Sequence, residues 1–294
     1  MPENIGNLNV SFCVDDLRSS RGGTGGNIGY NLRLLGGCPL IVSAIGKNGG
    51  EYLRHLRNHD INTDYIHFDE ELESATCFIV TDQNNKQINI YYPGPTAKAA
   101  KIRIGNIKEV KEVRYAIVSP STKELMLRQI VECDSFGMEV IFDPGQQTVT
   151  FEHDELREAI IKSKFLFGNR YEMEFIEKHS GWSKEDILAM GKMIITTYGK
   201  NGSLIETKVQ NKPIKRIELP ACKDILVKDP TGAGDAYRAG FILGLTRGYS
   251  RKVCGQLGSV AASFAVEASG AQGHHFNRGE FTKRYEDNYG KFPF

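Results

Sequence analysis

The chain has 294 residues, 40% of them hydrophobic and 25% charged, with 31 glycines and 10 prolines. That is enough apolar material for a large core, and it excludes a disordered, fibrous or disulfide-scaffold protein. With 37 Lys and Arg against 36 Asp and Glu, no global field draws nucleic acid or anionic lipid, so an anionic ligand has to be met locally.

The six cysteines are scattered without a C-x-x-C pair, and the chain shows neither a basic, apolar leader nor a run of about 18 apolar residues. The expectation is a cytoplasmic protein with reduced thiols and no membrane or nucleic-acid partner.

In chain order, LNVSFCVDD (8–16) predicts a strand. GGTGGNIGYNLRLLGG (22–37) predicts a helix with a glycine-rich lead-in and an apolar stripe at Ile28, Leu32 and Leu35. From Leu40 onward short apolar runs alternate with helical patterns, the signature of parallel strands joined by crossover helices. The strands are LIVSAIG (40–46), YAIVS (115–119), EVIFDPG (139–145), KFLFGN (164–169), MIITTYG (193–199) and SLIET (203–207). Helices are expected at 123–136, 154–163, 171–179, 183–191, 234–248 and 251–268.

TCFIVTD (76–82) and KQINIYYPG (86–94), joined at Gln83-Asn84-Asn85, predict a hairpin. With 8–21 it forms a small β lid spanning about 74–95; the alternative is an extension of the main sheet at its edge. The predicted fold is α/β: one domain over 1–294, with a mainly parallel central sheet flanked by helices on both faces.

The segment KDPTGAGDAYRAG (228–240) sets Gly232, Ala233 and Gly234 ahead of a helix. Backbone N–H groups gathered there, at the positive end of the helix dipole, suit an anion. An acid at Asp235 repels that anion unless it takes a proton from a hydroxyl attacking a phosphoryl group. In isolation, an ordinary acidic residue of a first helical turn is the commoner explanation, so the motif needs support from elsewhere. Asn27 offers a donor and an acceptor to a sugar hydroxyl, or acts only as a helix cap.

Neither glycine-rich segment is a P-loop or a dinucleotide fingerprint, and the protein-kinase H-R-D and D-F-G elements are absent. His274 and His275 are adjacent, so their side chains diverge, and they read as loop residues rather than metal ligands. Asp143 either borders a cleft at the carboxyl end of the sheet or turns the chain as Asp-Pro-Gly.

Together the segments resemble the PfkB family of carbohydrate and nucleoside kinases, with its ribokinase-like fold. DPTGAGD (229–235) is similar to the C-terminal signature, and Gly22-Gly23 with Asn27 to the N-terminal one. NRYE (169–172) is similar to the N-x-x-E element, and TYGKNG (197–202) to the T-x-G-x-x-G turn. NLNVSF, FDPGQ (142–146) and EASGAQGHHF (267–276) look like the branch of bacterial adenosine kinases.

The resemblance implies ATP-dependent phosphorylation of adenosine, a purine-salvage reaction giving AMP and ADP, with a ribose or fructose kinase as alternative. It implies Asp235 as base and an anion hole from the amides of Gly232, Ala233 and Gly234. Gly22, Gly23 and Asn27 would hold ribose hydroxyls, while Thr197, Gly199 and Gly202 border ATP. Asn169 and Glu172 would act on magnesium through water, and Asp229 and Thr231 lie at a potassium site of many relatives. A monomer or homodimer is expected.

The sequence departs from this pattern at its start, where relatives carry a core strand with G-S-x-x-x-D whose aspartate grips the ribose. A start codon assigned too late, a fragment, and a shortened, catalytically weak nucleoside-binding protein all account for that. A sheet lacking such a strand is expected to leave backbone groups unpaired and apolar faces uncovered. Asn48 stands where relatives have Asp and is expected to support the lid or a loop.

Overall fold

Glycine opens the first element: Gly23, at a positive φ of 86°, turns the chain into helix α1 (Thr24–Leu34). The structure is a computed structural model and describes residues 13–81, 87–210 and 212–293. After α1 come β1 (Ser43–Ile45), α2 (Gly50–Asn58) and β2 (Ile66–Phe68), then the hairpin strands β3 (Thr76–Thr81) and β4 (Gln87–Tyr92). The central run is β5 (Tyr115–Val118), α3 (Lys123–Ser135), β6 (Glu139–Phe142), α4 (His153–Lys162), β7 (Phe165–Asn169), α5 (Arg170–Ser180), α6 (Lys184–Ala189) and β8 (Met193–Thr197). It ends with β9 (Ser203–Thr207), β10 (Lys215–Leu219), α7 (Ala233–Thr246), α8 (Arg251–Val266) and α9 (Arg278–Tyr289).

The main sheet has six strands in the order β10-β9-β8-β7-β6-β5. Pairing is parallel from β5 through β8 and antiparallel at β9 and β10. Successive side chains of a strand point to opposite faces, and both faces are apolar here. Val140, Phe142, Leu166 and Ile194 meet Met126, Ile160 and Ile176 from α3, α4 and α5 on one side. Ile141, Phe167 and Ile195 meet Ile28 and Phe241 from α1 and α7 on the other. Helices therefore cover both faces, as expected.

Phe241 is fully buried, with its ring edge-on to Phe167 at 5.1 Å. Truncating Phe241→Ala removes the ring and leaves a cavity, so the unfolding free energy should fall by roughly 3–5 kcal/mol in a urea titration.

Several expectations are corrected. The apolar run at 40–46 does not join the main sheet: only Ser43–Ile45 is strand, and it pairs in parallel with β2 as a separate two-stranded sheet. Of the strand expected at 8–16, residues 8–12 lie outside the described residues, and Cys13–Asp16 are not strand. The hairpin is present, pairing Phe78 with Ile90 and Thr76 with Tyr92, whereas its expected turn at Gln83-Asn84-Asn85 lies outside the described residues. It forms a sheet of its own rather than an edge of the main one. Both its faces are open: Phe78 and Ile90 are 58% and 59% exposed, and Tyr91 on the other face is 56%.

Asn48 accepts a hydrogen bond from the Ser74 amide at 2.9 Å and so anchors the lead into β3. The outer edge of β5 has no strand neighbour among the described residues. It borders a groove of about 750 Å³ whose other wall is the 38–43 segment leading into β1. Tyr115, Ala116 and Ile117 are only partly buried there, while Val140, Ile141 and Phe142 of β6 are fully buried.

Candidate active site

The carboxyl ends of β6, β7 and β8 and the amino ends of α5 and α7 meet on one side of the sheet, where open α/β folds bind ligands. Register places Asn169 directly beside Thr197 at the ends of β7 and β8. Asn169 caps α5: its Oδ1 accepts from the Glu172 amide at 2.9 Å, and Glu172 Oε2 accepts from the Asn169 amide at 2.7 Å. This reciprocal pair is a capping box. It uses Glu172 Oε2 and leaves Oε1 without a hydrogen-bond partner among the described residues, 3.9 Å from the position a Cβ on Gly145 would take. Burial raises the proton affinity of Glu172.

At α7 the helix begins at Gly232, which is left-handed at φ 82°. A Cβ there would lie 2.6 Å from the Ala271 Cβ, so only glycine fits. The Ala233 amide is bonded to the Pro230 carbonyl at 3.2 Å. The amides of Gly232, Gly234 and Asp235 have no backbone acceptor among the described residues. Of the three amides expected to meet an anion, that of Ala233 instead closes the turn, and the amide of Asp235 stands without a backbone acceptor beside those of Gly232 and Gly234. Unpaired amides in a first helical turn are the ordinary donors for an anion.

Asp235 sits at the mouth of this turn. Its Oδ2 accepts from Asn27 Nδ2 at 2.7 Å. Burial pushes its carboxyl up to about 6, against the opposing effects of the Asn27 hydrogen bond and the Arg238 charge. A carboxylate with that proton affinity is a competent general base near neutral pH.

Asn27 serves Asp235 in this structure rather than standing free for a ligand. Its Oδ1 accepts from Gln272 Nε2 at 2.9 Å, and the same nitrogen donates to the Tyr52 hydroxyl at 2.7 Å. Tyr52 in turn donates to the Gly22 carbonyl at 2.8 Å, and His55 Nε2 lies 3.0 Å from Gln272 Oε1. Thus Gly22 and Asn27 are joined through Tyr52 and Gln272, while Gly23 accepts from the Asn27 amide. Tyr52 and Gln272 were not legible as site residues, since nothing in their spacing marks them.

Asp229 pins the loop that leads into α7: its Oδ1 accepts from the Thr231 amide at 2.9 Å and its Oδ2 from the Gly270 amide at 2.8 Å. Gly199 and Gly202 take φ values of 57° and 91° in the turn that follows β8, closed by the Tyr198 amide on the Gly202 carbonyl. His274 is buried, with its Nε2 2.8 Å from Asn31 Oδ1. Burial lowers its proton affinity to about 4, so it is a neutral core residue, while His275 is exposed.

Both oxygens of Asp143 are held by Arg238, a role that neither the cleft nor the turn expectation included. A sequence signal existed for this pair. An arginine inside the apolar helix AGDAYRAGFILGLT requires a buried carboxylate.

Magnesium fits this site in a limited way. No group of three or more His, Cys, Asp or Glu side chains suited to a metal occurs among the described residues. The unpartnered Glu172 Oε1 suits a cation that keeps most of its water and phosphate ligands.

Comparison with known proteins places the chain in a family. Residues 3–275 match the family described as pfkB family carbohydrate kinase. The chain is 35% identical over 270 residues to a nucleoside kinase of Methanocaldococcus jannaschii, covering 90% of this chain and 85% of the relative. It is 31% identical over 294 residues to a nucleoside kinase of Methanothermobacter thermautotrophicus, covering 97% and 91%. The solved structure of Burkholderia thailandensis nucleoside kinase in complex with inosine matches with a TM-score of 0.90 at 30% identity, over 97% of this chain and 92% of that one. With its glycine turn, its Asp235 and its helix-covered parallel sheet, the chain belongs to the pfkB family of carbohydrate kinases and has their ribokinase-like fold.

Proposed function

We propose that the protein is an ATP-dependent nucleoside kinase that phosphorylates the 5′-hydroxyl of adenosine, giving AMP and ADP. The observation that carries this reading is Asp235, a carboxylate of raised proton affinity placed beside free amides at the start of α7. Asp235 Oδ1, the oxygen Asn27 leaves free, takes the hydroxyl proton. The hydroxyl oxygen then bonds to the γ-phosphorus as the bond to the departing ADP breaks. The amides of Gly232, Gly234 and Asp235 hold the charge that spreads over the transferring group.

Magnesium, when bound, supplies positive charge to the phosphate oxygens, and Glu172 with Asn169 would hold it, largely through water. Thr197, Gly199 and Gly202 would border the nucleotide, and the loop of Asp229 and Thr231 would place any monovalent cation. Gly22 and Gly23 lie where ribose hydroxyls would be met, and the β3–β4 hairpin is the element suited to close over the nucleoside as a lid.

A second reading, inosine as preferred substrate, is favoured by the inosine-bound Burkholderia structure. The test is a panel of adenosine, inosine, ribose and fructose with ATP and magnesium. Adenosine should give the highest kcat/KM; faster inosine turnover selects the second reading, and turnover of free sugar alone overturns both. The acid limb of kcat/KM should lie at about pH 6, the rate falling as Asp235 becomes protonated below it.

A further inference from the structure

Arg238 lies one turn beyond Asp235 on α7 and is only 8% exposed. Its Nε donates to Asp143 Oδ2 and its Nη2 to Asp143 Oδ1 at 2.6 Å, a two-pronged grip that fixes the guanidinium plane. Its Cζ stands 5.7 Å from the centre of the Phe167 ring. The remaining nitrogen, Nη1, comes within 2.8 Å of the position a Cβ on Gly234 would occupy. The guanidinium therefore lies directly beside the Gly234 backbone, with no room for a side chain between them. The charges of Asp143, Asp235 and Glu172 all act on it. A buried ion pair is a poor source of stability compared with apolar residues of the same volume, so its place under this turn calls for another account.

We propose that Arg238, clamped by Asp143, is the positioning residue of the transfer site: it fixes the Gly234 backbone from beneath and, through it, the place of the adjoining Asp235. This rests on the kinase reading of Asp235. The two members of the pair act on the base in opposite senses, since the Arg238 charge favours the ionised form and the Asp143 charge disfavours it. Of the other groups around it, Asn27 from α1 donates to Asp235 directly, the hydroxyl of Tyr52 from α2 lies within reach of its charge, and the charge of Glu172 from α5 acts on Arg238.

The test compares Arg238→Gln, Asp143→Asn and the double variant, following the Asp235 carboxyl by ¹³C NMR titration in the nucleotide-free protein, with Asp235→Asn to assign the signal. Arg238→Gln should move the titration up by roughly one pH unit and Asp143→Asn down by a similar amount. The double variant should return close to the wild type. The acid limb of kcat/KM for the nucleoside should follow the same order. A pair that only supports the fold would shift both single variants the same way or neither, and that result overturns the proposal.

If the single variants do not fold, Arg238→Lys keeps the charge but loses the planar fork. It should titrate as the wild type does, while kcat falls about tenfold with KM for the nucleoside unchanged; an unchanged kcat removes Arg238 from the positioning role. Absence of nucleoside turnover by the wild type would instead overturn the proposed function, leaving the order of the titrations to decide the role of the pair.

Discussion

Asp235→Asn should lower kcat for nucleoside phosphorylation by roughly 10²- to 10⁴-fold, the range expected for loss of a general base. Nucleoside affinity, read by calorimetry, should remain close to that of the wild type, since the amide can still accept from Asn27. A kcat within threefold of the wild type would remove Asp235 from the base role.

The same variant should be more stable than the wild type at neutral pH. The folded carboxyl holds its proton up to about pH 6, against 3.8 as the ordinary value. The folded state therefore binds more protons between those values, and this group's contribution to stability is lost as pH rises through that window. Above it a charge is held in a desolvated place, at a cost of about 1–2 kcal/mol once its partial exposure is allowed for. Removing the charge should raise Tm at pH 7.5, and the difference should vanish below about pH 4. A Tm lower than that of the wild type at pH 7.5 would contradict the burial argument.

Gly232→Ala should also cost activity, but with the opposite sign in stability. The left-handed conformation at φ 82° carries a penalty of about 1–2 kcal/mol for an L side chain, and the added Cβ meets Ala271 at 2.6 Å. Relief of that contact rotates the turn and moves the amides of Gly234 and Asp235 off the transferring group. A loss of roughly 10²- to 10³-fold in kcat is expected, with a lowered Tm and little change in nucleoside KM. A folded variant of unchanged kcat would show that the amide cradle does not bear on the reaction. The two variants thus separate a base from a cradle by stability as well as by rate.

Where apolar runs are central to the sheet, local sequence and final structure agree. SLIET is strand at 203–207 and the runs at 139–142 and 165–169 lie in the core, because strands covered on both faces are apolar throughout. Elements at the periphery were missed for the same reason inverted. The strand at Lys215–Leu219 mixes charge with apolar residues because it is an edge, and the helices at Gly50–Asn58 and Arg278–Tyr289 are dominated by polar residues. The last of these carried a legible start, the capping box of Asn277 and Glu280.

The run at 40–46 was legible as a strand but not in its placement, since a buried apolar strand looks alike in any sheet. At the site, the residues on glycine-rich turns could be read from spacing, because the turn itself dictates the chemistry. Arg238, Gln272 and Tyr52 act across long separations in sequence, joining residues 95, 245 and 220 positions apart, and only folding brings them together.

The outer flank of β5 bears on how the protein behaves when concentrated. A strand margin with no strand neighbour among the described residues, beside a trough of about 750 Å³, is the kind of edge on which another extended chain pairs. Self-association by backbone pairing at such a flank would grow with concentration and with time spent warm, without any change at Asp235. Specific activity per folded molecule would then stay constant while the soluble fraction declines, so loss of activity on storage would measure precipitation rather than inactivation of the site.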